Sequence, residues 1–352
     1  MKRFRGVRLG KNISFFIDMK AIAVILVLAV ILFAVILLSI GMGEVTISPV
    51  DVFKVLIGQG SEFHHLIVNT FRLPRVLIAL FAGMSLAISG ALLQAMVRNP
   101  LASPDIIGIT GGASVAAVSI ITLFSDSTTS LSVSLGWIPF AAFLGATVTA
   151  LLMYAFAWKK GVSPFRLVLV GIGLYTATQA ITNLIILLGP VYRAVQSKTW
   201  LTGSVYGSEW KEVYTLLPWV CILIPLAFFM SRTVNIQQFG DDIAIGAGDR
   251  VQRNRLFILL LGTGLAGSAV AFAGAISFVG LIAPHAARRM VGSSYDMLLP
   301  TSALLGGIIV VLADLVGRTI VAPLEVPAGV FTAAIGAPYF IFLLIKTKNQ
   351  TG

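Results

Sequence analysis

The chain is a succession of apolar runs close to twenty residues long, separated by short polar or basic segments. Ala21–Gly41, the first of them, contains no ionisable side chain. A run of that length matches the hydrocarbon thickness of a bilayer at the helical rise per residue. It must be helical, because lipid offers no water to satisfy a bare backbone. Further runs lie near residues 73–97, 106–124, 137–158, 165–188, 216–230, 298–316 and 326–345. With 57% hydrophobic and 11% charged residues, the chain holds more apolar surface than one soluble core can hide. The expected fold class is an all-α polytopic membrane protein. A basic tail at 1–20 precedes one membrane domain at 21–346, which holds a loop at 231–255, and a short tail follows at 347–352.

The net charge of +11 would suit a nucleic-acid partner. The Lys and Arg residues, however, sit in short clusters between apolar runs, which is how topology-setting charge is arranged. They also decide the one ambiguous stretch, Leu256–Pro284, which reads either as one long helix or as a span followed by a short helix after a break at Gly274–Gly280. Splitting it gives ten spans with both termini inside and puts 18 of the 25 Lys and Arg on the cytoplasmic side, against 15 for nine spans. The basic N-terminus, MKRFRGVRLGKNISFFIDMK, could begin a signal peptide cleaved near Ser39-Ile40-Gly41, but the apolar run exceeds an ordinary signal core and favours an uncleaved first span. The single cysteine, Cys221, excludes disulfide frameworks and multi-cysteine metal sites.

Two stretches repeat a skeleton of small residues: AGMSLAISGA at 82–91 and AGSAVAFAGA at 266–275, with Pro100 aligning to Pro284 and Gly108 to Gly292. Gly or Ala every fourth residue lets membrane helices approach closely. Five spans separate the starts of the two copies, so they should run in opposite directions, as in inverted-repeat transporters. Ser85, Ser89 and Gln94 are the polar positions of the first copy, suited either to line a passage or to bond a neighbouring helix.

The chain has no G-x-x-x-x-G-K-[ST] run, no H-x-x-x-H pair and no series of intramembrane carboxylates; Asp314 alone lies near a span end. A transporter so equipped must take its energy from elsewhere. The loop SRTVNIQQFGDDIAIGAGDRVQRNR at 231–255 offers a place: Asp241 and Asp242 open a short segment, Ile243–Ala247, that Gly248 closes. Acids at a helix start and Gly past its end are capping chemistry.

Gly240, Asp241, Ala244 and Gly248 match the pattern G-[acid]-x-x-A-x-x-x-G, and here the chain resembles the FecCD family, permease subunits of ABC importers for ferric siderophores, haem and vitamin B12. Also similar to that family are RLPRVLIALFAGMSLAISGALLQAMVRNPLASPDIIGITGGA (72–113), RLVLVGIGL (166–174), GAISFVGLIAPHAARRMVG (274–292) and the last two spans (299–346). The resemblance runs from Arg72 to Lys346 and implies a ten-span type II importer permease with no catalytic residues, metal site or cofactor of its own.

The same resemblance implies two partner ATPase subunits that use ATP and Mg, coupled through Gly240, Asp241, Asp242, Ala244 and Gly248. A second permease copy or a paralogue would complete the passage, and an extracytoplasmic binding protein would dock on Arg72, Arg75 and Arg318. Beside Ser85, Ser89 and Gln94, it implies a path lined by Thr176, Thr178, Gln179 and Asn183, with Ser163 as a gate in the turn before span five. Cargo is expected to be a ferric siderophore, with haem or cobalamin as alternatives, and the location a bacterial plasma membrane, surrounded by lipid and without nucleic acid. A self-sufficient secondary transporter is the competing class; a membrane enzyme lacks any convergent nucleophile, base or metal set. His64 and His65, in a polar outer loop, read as solvated histidines, with a metal or haem role as the alternative, and Trp200, Trp210 and Trp219 around the loop 190–214 read as interfacial anchors.

Overall fold

The structure, a computed structural model, describes residues 4–9, 13–124 and 135–348; the C-terminal tail beyond 348 lies outside them. A two-stranded antiparallel hairpin, β1 (Phe4–Leu9) and β2 (Ile13–Asp18), opens the chain, so the basic tail carries strand structure that the all-α expectation did not include. Everything else described is helical or connecting. Helix α1 (Met19–Gly41) starts at Asp18, whose carboxylate accepts the N–H groups of Lys20 and Ala21. Short helices α2 (Pro49–Leu56) and α3 (Glu62–His65) lead through a π-helical segment, Leu66–Arg72, into α4 (Leu73–Val97). Then come α5 (Ile109–Ser119), extended by a π-helical turn to Phe124, α6 (Ile138–Ala157), α7 (Pro164–Leu188) and α8 (Val191–Thr202). The rest comprises α9 (Trp210–Phe229), α10 (Ser231–Gln237), α11 (Asp241–Gly246), α12 (Val251–Ala273), α13 (Val279–Val291), α14 (Tyr295–Thr319) and α15 (Ala328–Lys348).

Among the described residues, seven helices are long and apolar enough to cross a bilayer, with shorter apolar helices at Ile109–Leu123 and Ala328–Leu343. The long apolar stretch after Arg255 is interrupted as the glycines suggest: α12 ends at Gly274 (φ 68°) and α13 begins after Phe278 (φ 65°). The Asp105 carboxylate accepts the Phe278 N–H at 3.2 Å, satisfying one of the free donors of the new helix start. The stretch returns to the end of the molecule where it began: Arg255 meets Asp241, and Tyr295, just past α13, donates its N–H to Asn235 of α10 at 2.8 Å.

Helix α4 is the hub. Nineteen of its 25 residues are buried, and it packs against α9, α12, α13 and α14. The small-residue stripe makes this possible. A Cβ on Gly83 would overlap the backbone of Gly306 on α14, and one on Gly90 would overlap the backbone of Gly280 on α13. The helices that carry the two copies touch, through the Ser89 hydroxyl donating to the Gly262 carbonyl of α12, four residues before the second copy, at 2.6 Å. Their surroundings also correspond: α4 packs on α14 as α12 packs on α6, α5 on α6 as α13 on α14, and α6 on α7 as α14 on α15. The halves 73–188 and 251–348 are therefore built to one plan, with α4 and α12 antiparallel at its centre.

Candidate functional site

The ends of these helices converge on the loop 231–255. Helix α11 ends as its sequence predicts: Gly248 takes positive φ (85°), its N–H reaches the Ile245 carbonyl, and the Asp249 N–H reaches the Ala244 carbonyl, both at 2.9 Å. This doubly bonded glycine stop satisfies carbonyls the helix leaves open. The helix start departs from expectation. Gly240 occupies the cap position with no side-chain bond, and Asp241 does not cap. Its carboxylate turns inward and accepts from Arg98, just past the end of α4, and from Arg255 in the first turn of α12 at 2.9 Å. One acid thus joins the two repeat helices at a common end. Burial by itself would raise the Asp241 pKa; the two guanidiniums outweigh it and hold the group below the ordinary value of 3.8.

The same region is fastened on its other side. Ser231 and Asn235 of α10 both donate to the Asp296 carboxylate at the start of α14, and Arg98 also donates to the Gln237 carbonyl at 3.1 Å. Ala244, expected to meet a partner, is wholly buried beneath α11. The outward residues are apolar instead: Phe239, Ile243 and Ile245 are all more than half exposed, and Asp242 is exposed beside them. Sequence reasoning selected Asp242 but none of the three apolar side chains. It also treated Arg98 and Arg255 as topology charges, although Arg98 ends a small-residue helix and Arg255 lies one helical turn into the next.

The outer arginines are found where expected along the chain, but they are committed internally. Arg72 donates to the carbonyls of Ile40, Gly41 and Val45, and Arg318 to those of Ser39 and Met42. Both are under one-tenth exposed. They answer the open carbonyls and negative end of α1, which explains their presence on a face where topology disfavours cations. Arg75 makes a bidentate pair with Asp314, at 2.7 and 3.1 Å, and a contact to Glu325 at 2.9 Å. The three guanidiniums floor a cleft of about 250 Å³ edged by Glu44, Phe71, Pro323 and Glu325. Of the three arginines expected to receive a binding protein, Arg72 and Arg318 are engaged by backbone carbonyls, while Arg75 reaches the more exposed Glu325 through its Nη1.

The expected path residues divide. Ser85, Ser89 and Gln94 are buried in the packing of α4, with Gln94 turned toward the Gly280 carbonyl at 3.4 Å. Ser89 and Gln94 each donate to a carbonyl of a neighbouring helix, while the Ser85 hydroxyl is buried without a hydrogen-bond partner among the described residues. Helix α7 is the opposite case: it is the least apolar of the seven long helices, and only 11% of its core window is buried. Thr176 and Asn183 are exposed on it, with Gln179 half-buried between them, while Thr178 turns its hydroxyl back to the Leu174 carbonyl. Ser163 caps α7, its hydroxyl accepting the Arg166 N–H at 3.4 Å and Arg166 Nε at 3.1 Å. No group of three His, Cys, Asp or Glu residues suited to a metal occurs among the described residues. His65 pairs with Asn69 at 3.2 Å, and Trp210 donates to the Asn69 carbonyl at 2.7 Å.

A bundle of apolar helices around a small-residue hub, with a short helix clamped across one end, defines a multi-pass membrane transport protein. The chain belongs to the FecCD transport family, whose model matches residues 30–346. It is 56% identical over 333 residues to "Probable siderophore transport system permease protein YfhA" of Bacillus subtilis (strain 168), spanning 95% of this chain and 97% of that one. It is 44% identical over 331 residues to the achromobactin transport system permease protein CbrC of Dickeya dadantii (strain 3937), spanning 94% and 91%. Among solved structures, a metal-chelate type ABC transporter in an inward-facing conformation matches with TM-score 0.81 at 28% identity, covering 92% of this chain and 99% of that one.

Proposed function

We propose that this chain is the permease subunit of an ABC importer that carries a ferric siderophore across a bacterial plasma membrane. Ten crossings leave both termini in the cytoplasm: the seven long helices, α5, the short α13 and α15. A second copy or a close paralogue covers the exposed face of α7, so that Thr176, Gln179 and Asn183 border a shared passage. Two separate ATPase subunits, using ATP and Mg, dock on the apolar tip Phe239, Ile243 and Ile245. An extracytoplasmic binding protein delivers cargo at the cleft over Arg75, where one of its acids exchanges with Glu325.

The observation that carries this reading is the Asp241 clamp. It fastens an exposed, apolar-tipped helix to the ends of both repeat helices, so force applied to the tip reaches the bundle. The relatives support the cargo class, since those named above serve siderophore and achromobactin systems. The test is reconstitution in liposomes with and without the ATPase and binding protein, using iron-55 siderophore as cargo and haem and cobalamin as competitors. Uptake that needs all three components supports the importer; uptake by the chain alone, driven by an ion gradient, makes it a secondary transporter. Competition by haem or cobalamin would reassign the cargo.

A further inference from the structure

Beyond joining α4 to α12, Arg255 reaches a third element. Its guanidinium donates through Nη2 to Asp241 and through Nη1 to the carbonyl of Val162, the residue just before the Ser163 cap of α7. The side chain is 1% exposed, so its guanidinium is sheltered from water, which strengthens both contacts.

The turn that Arg255 holds is stiff. Trp158 and Val162 pair as a bridge, and the Lys159 N–H reaches the Gly161 carbonyl at 3.1 Å. Arg166 wraps the turn from α7 through the carbonyls of Lys159 and Gly161. Gln252, three residues before Arg255, holds the Val162 N–H at 2.9 Å. A turn bonded within itself and to α12 passes displacement on instead of absorbing it.

Packing within the chain on the two sides of Asp241 is unequal. Arg98 leads from Asp241 to α4, whose core window is 78% buried and is held by four helices. Arg255 leads to α7, whose window is 11% buried. Of the elements reached from the clamp, α7 has the least packing against its own chain to lose on moving.

We propose that Arg255 is a positioning residue that carries displacement of α11 to the start of α7, and so sets the cytoplasmic width of the passage. This rests on the reading of α11 as the ATPase docking element.

The test uses the whole complex in lipid nanodiscs, with Cys221→Ser and spin labels on Lys160→Cys in both copies. Inter-label distances are measured without nucleotide and with ATP, Mg and vanadate. In the otherwise unaltered complex, nucleotide shifts the distance. Arg255→Met is expected to cut that shift to below about a third, and Arg255→Lys to restore part of it. Should Arg255→Met fail to fold, the milder Asp241→Asn and Gln252→Leu must each reduce the shift, and their double variant must fall short of the product of the two losses. A full shift in Arg255→Met, or in both milder variants, overturns the relay. A parent complex that binds no ATPase would instead overturn the importer reading, so the two failures are distinguishable.

Discussion

Asp241 and Arg255, fourteen residues apart in the chain, are 2.9 Å apart in space, and the same carboxylate oxygen also accepts from Arg98. The resulting three-residue clamp is the point where an exposed surface helix meets the buried bundle. Its pH response has a definite sign. A carboxylate whose folded pKa is depressed contributes above its unfolded value and loses that contribution as pH falls through the folded one. Amide exchange in α11 should therefore be level from about pH 5 to pH 8 apart from intrinsic chemistry, and protection should fall only below about pH 4. Loss of protection near neutral pH would mean that another group holds the helix.

Asp314 is 2% exposed between Arg75 and Arg318. Removing it leaves the sheltered Arg318 guanidinium without a carboxylate and Arg75 with only the partly exposed Glu325, so Asp314→Ala should destabilise by about 3–5 kcal/mol. Glu325 is one-third exposed, and Glu325→Gln should cost less than about 1 kcal/mol. Thermal unfolding in detergent micelles, monitored by tryptophan fluorescence, ranks the two; equal losses would contradict the network described here.

Glycine positions in the hub and at its edge should behave oppositely. Gly90→Val drives a side chain into the Gly280 backbone and should cost at least about 3 kcal/mol, with low yield of folded protein. Gly173 on α7 faces open space, so Gly173→Ala should be neutral or stabilising by up to about 1 kcal/mol through helix propensity alone. The same melting assay decides both.

Docking and stability should separate on α11. Ile243→Asp and Ile245→Asp alter exposed side chains, so the melting temperature should move by less than about 2 °C while ATPase recovery in co-purification drops about tenfold or more. Ala244→Leu overfills a buried position and should loosen α11 itself, read as faster amide exchange. If Ala244→Leu leaves exchange unchanged, the inward placement of this residue is wrong.

Accessibility tests the division of path residues. Thr176→Cys and Asn183→Cys, on a background of Cys221→Ser, should react with a small polar thiol reagent in membranes. Ser89→Cys, sealed between α4 and α12, should react at least about tenfold more slowly. Comparable rates at all three sites would return the passage to the hub.

Much of this molecule is legible in its residues. Apolar run length dictates spanning helices, since lipid leaves the backbone no alternative. The spacing of Gly83, Ala87 and Ala91 announces a close helix crossing, and Gly274 with Gly280 marks where α12 must stop. Gly248 fixes the end of α11 because a left-handed residue is needed there. These are local properties, carried by backbone geometry and solvent, and a sequence states them directly. Direction of facing is different. Arg72 and Arg318 read as outward cations until the carbonyl end of α1 is brought beside them; Ser85, Ser89 and Gln94 read as path residues until four helices close around α4. Asp241 reads as a cap until Arg98 and Arg255 arrive from helices 143 and 14 residues away. What a polar side chain does depends on which distant donor or acceptor lies within about 3 Å of it, and only the packed arrangement of the helices fixes that.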